Sequence, residues 1–324
     1  MLRWPTMIEL PKLSDKEREV LACVDLGARQ TPSEIARQTG MRIHSVRYAL
    51  DALKSRLGLV PYCWPHPYKL GMIPYRIFCN IATAKDGERR AFLQWLRACP
   101  TVTWLGEFSG LFHYGIAVQT PSIDDLKDFL EQIDDRFGEL RVRKTISVLT
   151  QLSFLRMKFM SRRKFSPELL EYRSTNQRYA FDDKDRTLLE ALRANPLHST
   201  RELAQQTGLP ASTIAYRLAA FEKENLILGY FYQFDHAMLG LQSYLLLISA
   251  GGVGGHIYDQ LRKFALTHPH VVMFGHCIGS WDFELQLLIQ HPKQLVEVEQ
   301  AIHNLCGGAV NEISSLNWIS DLKG

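Results

Sequence analysis

The side chains of this sequence with the clearest chemical purpose fall in two short runs: Arg42, His44, Ser45, Arg47 and Tyr48, then Ser212, Thr213, Tyr216 and Arg217. Guanidinium, imidazole and hydroxyl groups at these spacings are what meets phosphates and base edges in the major groove of a duplex. Such groups need a helix whose opposite face is buried. Behind the first run Val46, Leu50 and Leu53 recur at helical spacing, and behind the second Ile214, Leu218 and Phe221 do the same.

What precedes each run is a second, shorter helix with its punctuation intact. Ser199 with Glu202 and Thr31 with Glu34 are capping boxes, in which side chains satisfy the orphan amides of a helix start. Pro32 suits the first helical position because its missing N–H needs no partner there. Gly208 and Gly40 supply the left-handed residue that ends each helix. Glu34 to Gly40 (EIARQTG) matches Glu202 to Gly208 (ELAQQTG) at five of seven positions, so one helix-turn-helix signal is written twice. Ser14 with Glu17 caps an earlier helix carrying Val20, Leu21 and Val24, which completes a three-helix unit. After Leu59, the run Val60-Pro61-Tyr62-Cys63-Trp64-Pro65-His66-Pro67 predicts a proline-broken wing or edge strand.

The remaining stretches alternate strand and helix. The first set is Tyr75–Thr83, Asp86–Ala98, Val102–Phe108, Phe112–Gln119, Ile123–Arg136 and Leu140–Leu149. The second is Leu241–Ser249, His256–Thr267, Val271–Cys277, Trp281–Gln290, Pro292–Leu305 and Val310–Trp318. Each reads strand, helix, strand, strand, helix, strand, which is the ferredoxin-like split βαβ. The expected fold class is therefore α+β, with two winged helix-turn-helix modules alternating with two ferredoxin-like βαββαβ sheet domains. The expected boundaries are 1–68, 69–155, a basic linker over 156–180, 181–237 and 238–324, with residues 1–12 as a short arm. The linker carries Arg156, Lys158, Arg162, Arg163, Lys164, Arg173 and Arg178 against Glu168 and Glu171. Its composition predicts a solvated connector, with phosphate contact as the alternative.

With 324 residues and a net charge of +4, the chain is long enough for several cores, and the whole-molecule field says little. Its distribution says more: Lys12 to Val60 holds nine Lys or Arg against six Asp or Glu, whereas Phe181 to Tyr230 holds six against seven. Six scattered cysteines without a disulfide rhythm, and no leader or membrane-length apolar run, fit a reducing cytoplasm and no membrane partner.

Helix-turn-helix, the strand Leu226-Ile227-Leu228-Gly229-Tyr230 and a βαββαβ domain together resemble the leucine-responsive regulator (Lrp/AsnC) family of transcription factors. The resemblance spans nearly the whole chain, twice, and is closer in the second copy, through Phe181-Asp182-Asp183-Lys184-Asp185 and Gly279-Ser280-Trp281-Asp282. It implies a sequence-specific DNA-binding regulator whose sheet domains associate within or between chains and bind a small effector such as an amino acid. By resemblance, Gly275, Gly279 and Asp282 line that effector site. Read from the residues alone, Gly279 and Asp282 equally suit a hairpin turn and its cap. The first copy departs from the pattern, with His113 at the position of the acid and Ala49 opposite Arg217.

Siroheme decarboxylases resemble the same two-module arrangement, which makes an enzyme the alternative. The comparable stretches Val102–Phe108 and Val271–Cys277 lack the histidine-rich, arginine-containing pattern that resemblance implies. No Ser/His/Asp triad or pair of carboxylates stands out, so no catalysis and no cofactor are expected. His276, Cys277, His303 and Cys306 have metal-ligand chemistry, but adjacent strand residues point to opposite faces, so no metal is expected. Gly251 to Gly255 lacks the lysine of a phosphate-binding loop and predicts a plain strand-to-helix turn.

Overall fold

The computed structural model describes residues 12–82, 86–251 and 255–323. The N-terminal arm and the centre of the glycine run 251–255 lie outside them. In chain order the elements begin α1 (Asp15–Val24), α2 (Pro32–Thr39), α3 (Ile43–Leu57), β1 (Val60–Pro65), β2 (Ile73–Asn80), α4 (Asp86–Ala98), β3 (Val102–Ser109), β4 (Tyr114–Thr120), α5 (Ile123–Phe137) and β5 (Arg143–Leu155). They continue with β6 (Leu169–Arg173), α6 (Asp183–Ala194), α7 (Thr200–Thr207), α8 (Ala211–Lys223), β7 (Ile227–Gln233) and β8 (Gln242–Ala250). The last are α9 (Gly255–Thr267), β9 (Val271–Gly279), β10 (Phe283–Ile289), α10 (Pro292–Cys306) and β11 (Val310–Lys323). The α+β class is as expected, with two helix-turn-helix heads and two βαββαβ sheets.

The four modules form two compact units rather than four bodies in series. One comprises the chain through Leu70, Ser153–Gly240 and His268–Val272, and holds both heads; the other comprises Gly71–Leu152, Leu241–Thr267 and Met273–Gly324, and holds both sheets.

In the head unit the capping boxes at Ser14, Thr31 and Ser199 are all formed, and Gly40 and Gly208 end α2 and α7 at φ 72°. Val20, Leu21, Ile35, Val46 and Leu53 fill the first core, and Leu188, Leu192, Leu203, Ile214 and Phe221 the second. The expected wing is β1, and its partner is β7 of the other head: Val60 lies opposite Gln233 and Cys63 opposite Tyr230, antiparallel. Trp64, Phe154, Tyr172 and Phe231 pack around this ribbon, with ring centroids 4.5 Å apart for Trp64–Phe154 and 5.2 Å for Phe154–Phe231. Arg29, after α1, lies over the Tyr230 ring at 4.8 Å and donates to the His198 carbonyl at 2.9 Å. Two short strands that would each be marginal alone thus join the heads.

The basic linker differs from a solvated connector. Phe159, Met160, Phe165, Leu170 and Tyr172 are buried, β6 runs through it, and Arg156 is buried with its guanidinium 5.3 Å over the Phe165 ring. The apolar residues interleaved with the cations bury the segment, which outweighs the tendency of a charge run to stay in water.

In the sheet unit the strand order is β2-β4-β3-β11-β8-β10-β9-β5, and β5 also pairs β2, so the eight strands close into a ring. Each half keeps its ferredoxin-like order, and the halves join where β3 pairs β11 and β5 pairs β9. β2 and β10 are buried almost throughout because helices cover one face and the opposite half covers the other. On the helix side Ile77, Cys79, Phe92, Leu96, Leu105, Ile116 and Phe129 share a core. On the inner side Phe78 meets Trp281 at 5.3 Å, and Trp104 meets Trp318 at 4.8 Å. A buried ion pair spans the same interior, Arg76 Nε to Glu284 Oε2 at 3.2 Å, and Trp281 Nε1 donates to the other Glu284 oxygen at 3.1 Å. All six cysteines are free thiols, and no helix among the described residues is long and apolar enough to cross a membrane.

Candidate nucleic-acid interface

The two recognition helices present their outer faces very differently. On α3, Val46, Ala49, Leu50 and Leu53 face the core, which turns Arg42, His44, Arg47 and Tyr48 outward, with Ser45 half-buried at the first turn. Tyr48 is 80% exposed, and none of these four outward side chains has a hydrogen-bond or ionic partner among the described residues. Arg42 is the N-cap residue, so its charge sits where the helix begins, and no acidic residue occupies that first turn.

On α8 the outward residues are Ser212 and Tyr216, the latter 76% exposed, with Thr213 half-buried. Arg217 turns the other way. Its guanidinium makes two hydrogen bonds to the Asp182 carboxylate, at 2.8 and 2.7 Å, and a further one to Asp185. Asp182 is the N-cap of α6 and also accepts from the Asp185 amide at 2.8 Å, so the arginine locks the start of one helix onto the middle of another. The hydrogen bonds from Arg217 hold the Asp182 carboxyl below its ordinary range, and those to Asp182 and then Asp185 push the guanidinium upward. The nine residues expected at a DNA surface therefore divide. Five lie together on α3, Ser212 and Tyr216 face solvent on α8 with Thr213 half-buried beside them, and Arg217 serves an ion pair within its own head.

Sequence reasoning does not reach the pairing of Arg217 with Asp182 and Asp185, although its components are visible. The available signal is the cluster Asp182, Asp183 and Asp185 at a helix start, whose charge invites a guanidinium from elsewhere in the head. A contact between the linker and the first head is equally hidden: Arg163 Nη1 donates to the Gln38 carbonyl at 3.3 Å, at the end of α2.

The expected effector residues lie on β9 and in the turn from β9 to β10, but not as an open set of ligands. Asp282 Oδ2 accepts from the Ala250 amide at 2.7 Å, and the Asp282 backbone bonds to Ile248 and Cys277, which is the arrangement of a turn cap. Gly279 has φ 144°, and a Cβ there would stand 2.7 Å from the Ile146 carbonyl, so the position admits glycine because β5 passes close by. At Gly275 a Cβ would stand 3.2 Å from Glu284 and Leu149. Beside them His276 stacks on Phe283 at 5.2 Å with Tyr258 at its edge, and burial holds its imidazole below the ordinary value. Cys277 points to the opposite, fully buried side, and burial raises its thiol well above the ordinary range. No group of three or more His, Cys, Asp or Glu among the described residues is placed to hold a metal ion.

Comparison with known proteins identifies the second head. Residues 181–227 match the winged helix-turn-helix DNA-binding family. No curated protein matches the chain. Among solved structures, that of the siroheme decarboxylase NirDL is similar over 96% of this chain and 92% of its own, with a TM-score of 0.61 and 12% identity. Its co-complex with an iron-uroporphyrin III analogue is equally similar, with a TM-score of 0.61. An AsnC family transcriptional regulator from Agrobacterium tumefaciens covers 44% of this chain and 94% of its own, with a TM-score of 0.38 and 16% identity. The expectation that the chain carries no catalysis is thereby corrected: the full-length likeness is to an enzyme, so heads and sheets in this order do not mark a non-enzyme. The likeness to the NirDL structures, at 12% identity, is one of fold: two winged helix-turn-helix heads and two ferredoxin-like sheets.

Proposed function

We propose that the chain is a DNA-binding regulator in which the first head makes the main contacts with the duplex. One observation carries this reading: the cations and phenol of α3 stand in solvent without partners among the described residues, whereas the arginine of α8 is committed to Asp182 and Asp185. An exposed helix face with unpaired guanidinium groups gains from releasing counterions off phosphate, and a guanidinium already neutralised by two carboxylates does not. The second head then contributes Ser212, Thr213 and Tyr216 as uncharged contacts. The ribbon of β1 and β7 joins two heads within one chain, as a symmetric dimer joins two across its interface.

The test is fluorescence anisotropy of a labelled duplex titrated with the full chain at several salt concentrations. Arg42→Ala with Arg47→Ala is expected to flatten the dependence of log affinity on log salt by about two units, one for each phosphate no longer neutralised. Arg217→Ala is expected to change that slope by less than about one unit. A double variant that binds with wild-type affinity and slope would show that the first head is structural.

A second reading is favoured by the full-length similarity to NirDL, one of whose structures holds an iron-uroporphyrin III analogue. On this reading the sheet unit takes an iron tetrapyrrole as substrate, and His276, on the Phe283 ring with Thr150 beside it, offers the imidazole next to the bound ring. Mixing the protein with siroheme is expected to shift the absorption bands, and His276→Ala to abolish the shift. A spectrum equal to the sum of the separate components ends this reading.

A further inference from the structure

We propose that the loop from Ser161 to Lys164 is a second phosphate-contacting element, which grips the flank of the duplex held by α3. The inference rests on the reading of the first head as the DNA-binding one and deepens it. The loop is built into that head. Phe159 and Met160 are fully buried on one side of it and Phe165 is buried on the other, so its two ends are fixed by packing. Arg18 donates to the Phe159 carbonyl at 3.1 Å, and Gln30 donates to the Ser166 carbonyl at 3.0 Å. Within it, Ser161 Oγ donates to Glu19 at 2.8 Å and accepts from the Arg163 amide at 3.0 Å.

The middle cation sets the loop's position. Arg163 pairs with Glu19 of α1 at 3.4 Å and donates to the Gln38 carbonyl. Gln38 lies in the last turn of α2, four residues before Arg42 begins α3, so the loop is fastened to the turn from which the recognition helix emerges. Arg162 and Lys164, on either side of that anchor, are exposed and have no ionic partner among the described residues. Arg37 is exposed on the same last turn of α2. Arg163 already meets the C-terminal end of α2, where a cation offsets the helix dipole, and Arg162 and Lys164 have no comparable task among the described residues. Two exposed cations held beside a helix aimed at a major groove meet the adjacent phosphates of the same duplex, a contact that positions without reading sequence. Residues that look like a connector between modules thus extend the footprint of one of them.

The experiment measures the salt dependence of binding of the full chain to a mixed-sequence duplex about three helical turns long. Arg162→Gln with Lys164→Gln is expected to flatten the slope by about two units, Lys164→Gln alone by about one, and Arg162→Lys not at all. The thermal midpoint of the double variant is expected to match the wild type, because neither side chain is buried. An unchanged slope in the double variant, alongside a flattened one in Arg42→Ala/Arg47→Ala, overturns the loop proposal and leaves the first head as the reader. An unchanged slope in the α3 variant overturns the reading of the head and the loop proposal with it. A loop variant that loses affinity equally at every salt concentration, or that unfolds at a lower temperature, also overturns the proposal in favour of a structural role.

Discussion

Replacing Glu284 with Gln is expected to lower the free energy of unfolding by about 3–5 kcal/mol, which is the effect of leaving a buried partner charge uncompensated. Glu284 is fully buried, and its two oxygens serve Arg76 Nε at 3.2 Å and Trp281 Nε1 at 3.1 Å. Arg76 also stacks at 5.0 Å on Trp104, so the guanidinium cannot swing out to solvent without unpacking an indole. A small domain has only about 5–15 kcal/mol in total, so the single variant is expected to approach the unfolding threshold. Arg76→Met with Glu284→Leu is expected to recover most of that stability, since a pair of apolar groups of similar volume carries no desolvation cost. Urea unfolding of the wild type, Arg76→Met, Glu284→Leu and the double variant closes the cycle, with Glu284→Gln measured beside it. If the double variant is no more stable than Glu284→Gln, hydrogen bonding to Trp281 rather than charge holds this interior together.

Lys158 is expected to make the stability of the head unit rise with pH between about 7 and 9. Its ammonium donates to the Val271 carbonyl at 2.6 Å, and burial lowers its pKa from 10.5 to about 7, with Asp25 opposing the shift. Because the folded value lies below the unfolded one, the unfolded chain binds the extra proton throughout this window. The contribution is therefore fully present above the unfolded value and is lost as pH falls toward 7. The slope is at most about 1.4 kcal/mol per pH unit, the limit for one proton. Asp25 and His268 titrate below this window, and Cys23, whose ordinary value is 9.0, opposes the slope only above it. Burial raises Asp25 to about 6 and lowers His268 to about 3, while Cys23 rises to about 11. Asp25 works in the opposite sense and lower down, removing stability as pH rises from about 4 to 6. Lys158→Met is expected to be the more stable protein at pH 7 and to show a flat profile from about 7 to 9 in thermal or urea unfolding. A slope that survives in the variant would assign it to another group.

How the halves of the chain pair accounts for where the strands end. Periodicity ends the last strands of the two halves at Leu149 and Trp318, yet β5 continues to Leu155 and β11 to Lys323. In β11 the added residues pair with β3 of the other half: Ser320 lies opposite Glu107 and Lys323 opposite Leu105. In β5 they reach the start of the linker, where Ser153 donates to Glu171 of β6 at 2.7 Å. Periodicity within one half reports which face of a strand is buried. It carries no information about a partner strand some two hundred residues away.

The sequence by itself determined the local structure. Capping boxes, left-handed glycines and apolar periods placed the helices of the two heads, because those signals act over three or four residues and need no tertiary partner. It also determined which side of α3 looks outward, and that of α8 apart from Arg217, since the buried stripe fixes the opposite face. Tertiary structure alone decided that the wings pair with each other, that the two sheets close one ring, and that the basic linker is buried against the first head. It alone also decided that Arg217 answers to Asp182 and Asp185 while Arg42 and Arg47 answer to nothing among the described residues. The physical reason is the same in each case: a charge or a strand edge has several partners of suitable chemistry in the sequence, and which of them it meets depends on how the chain packs.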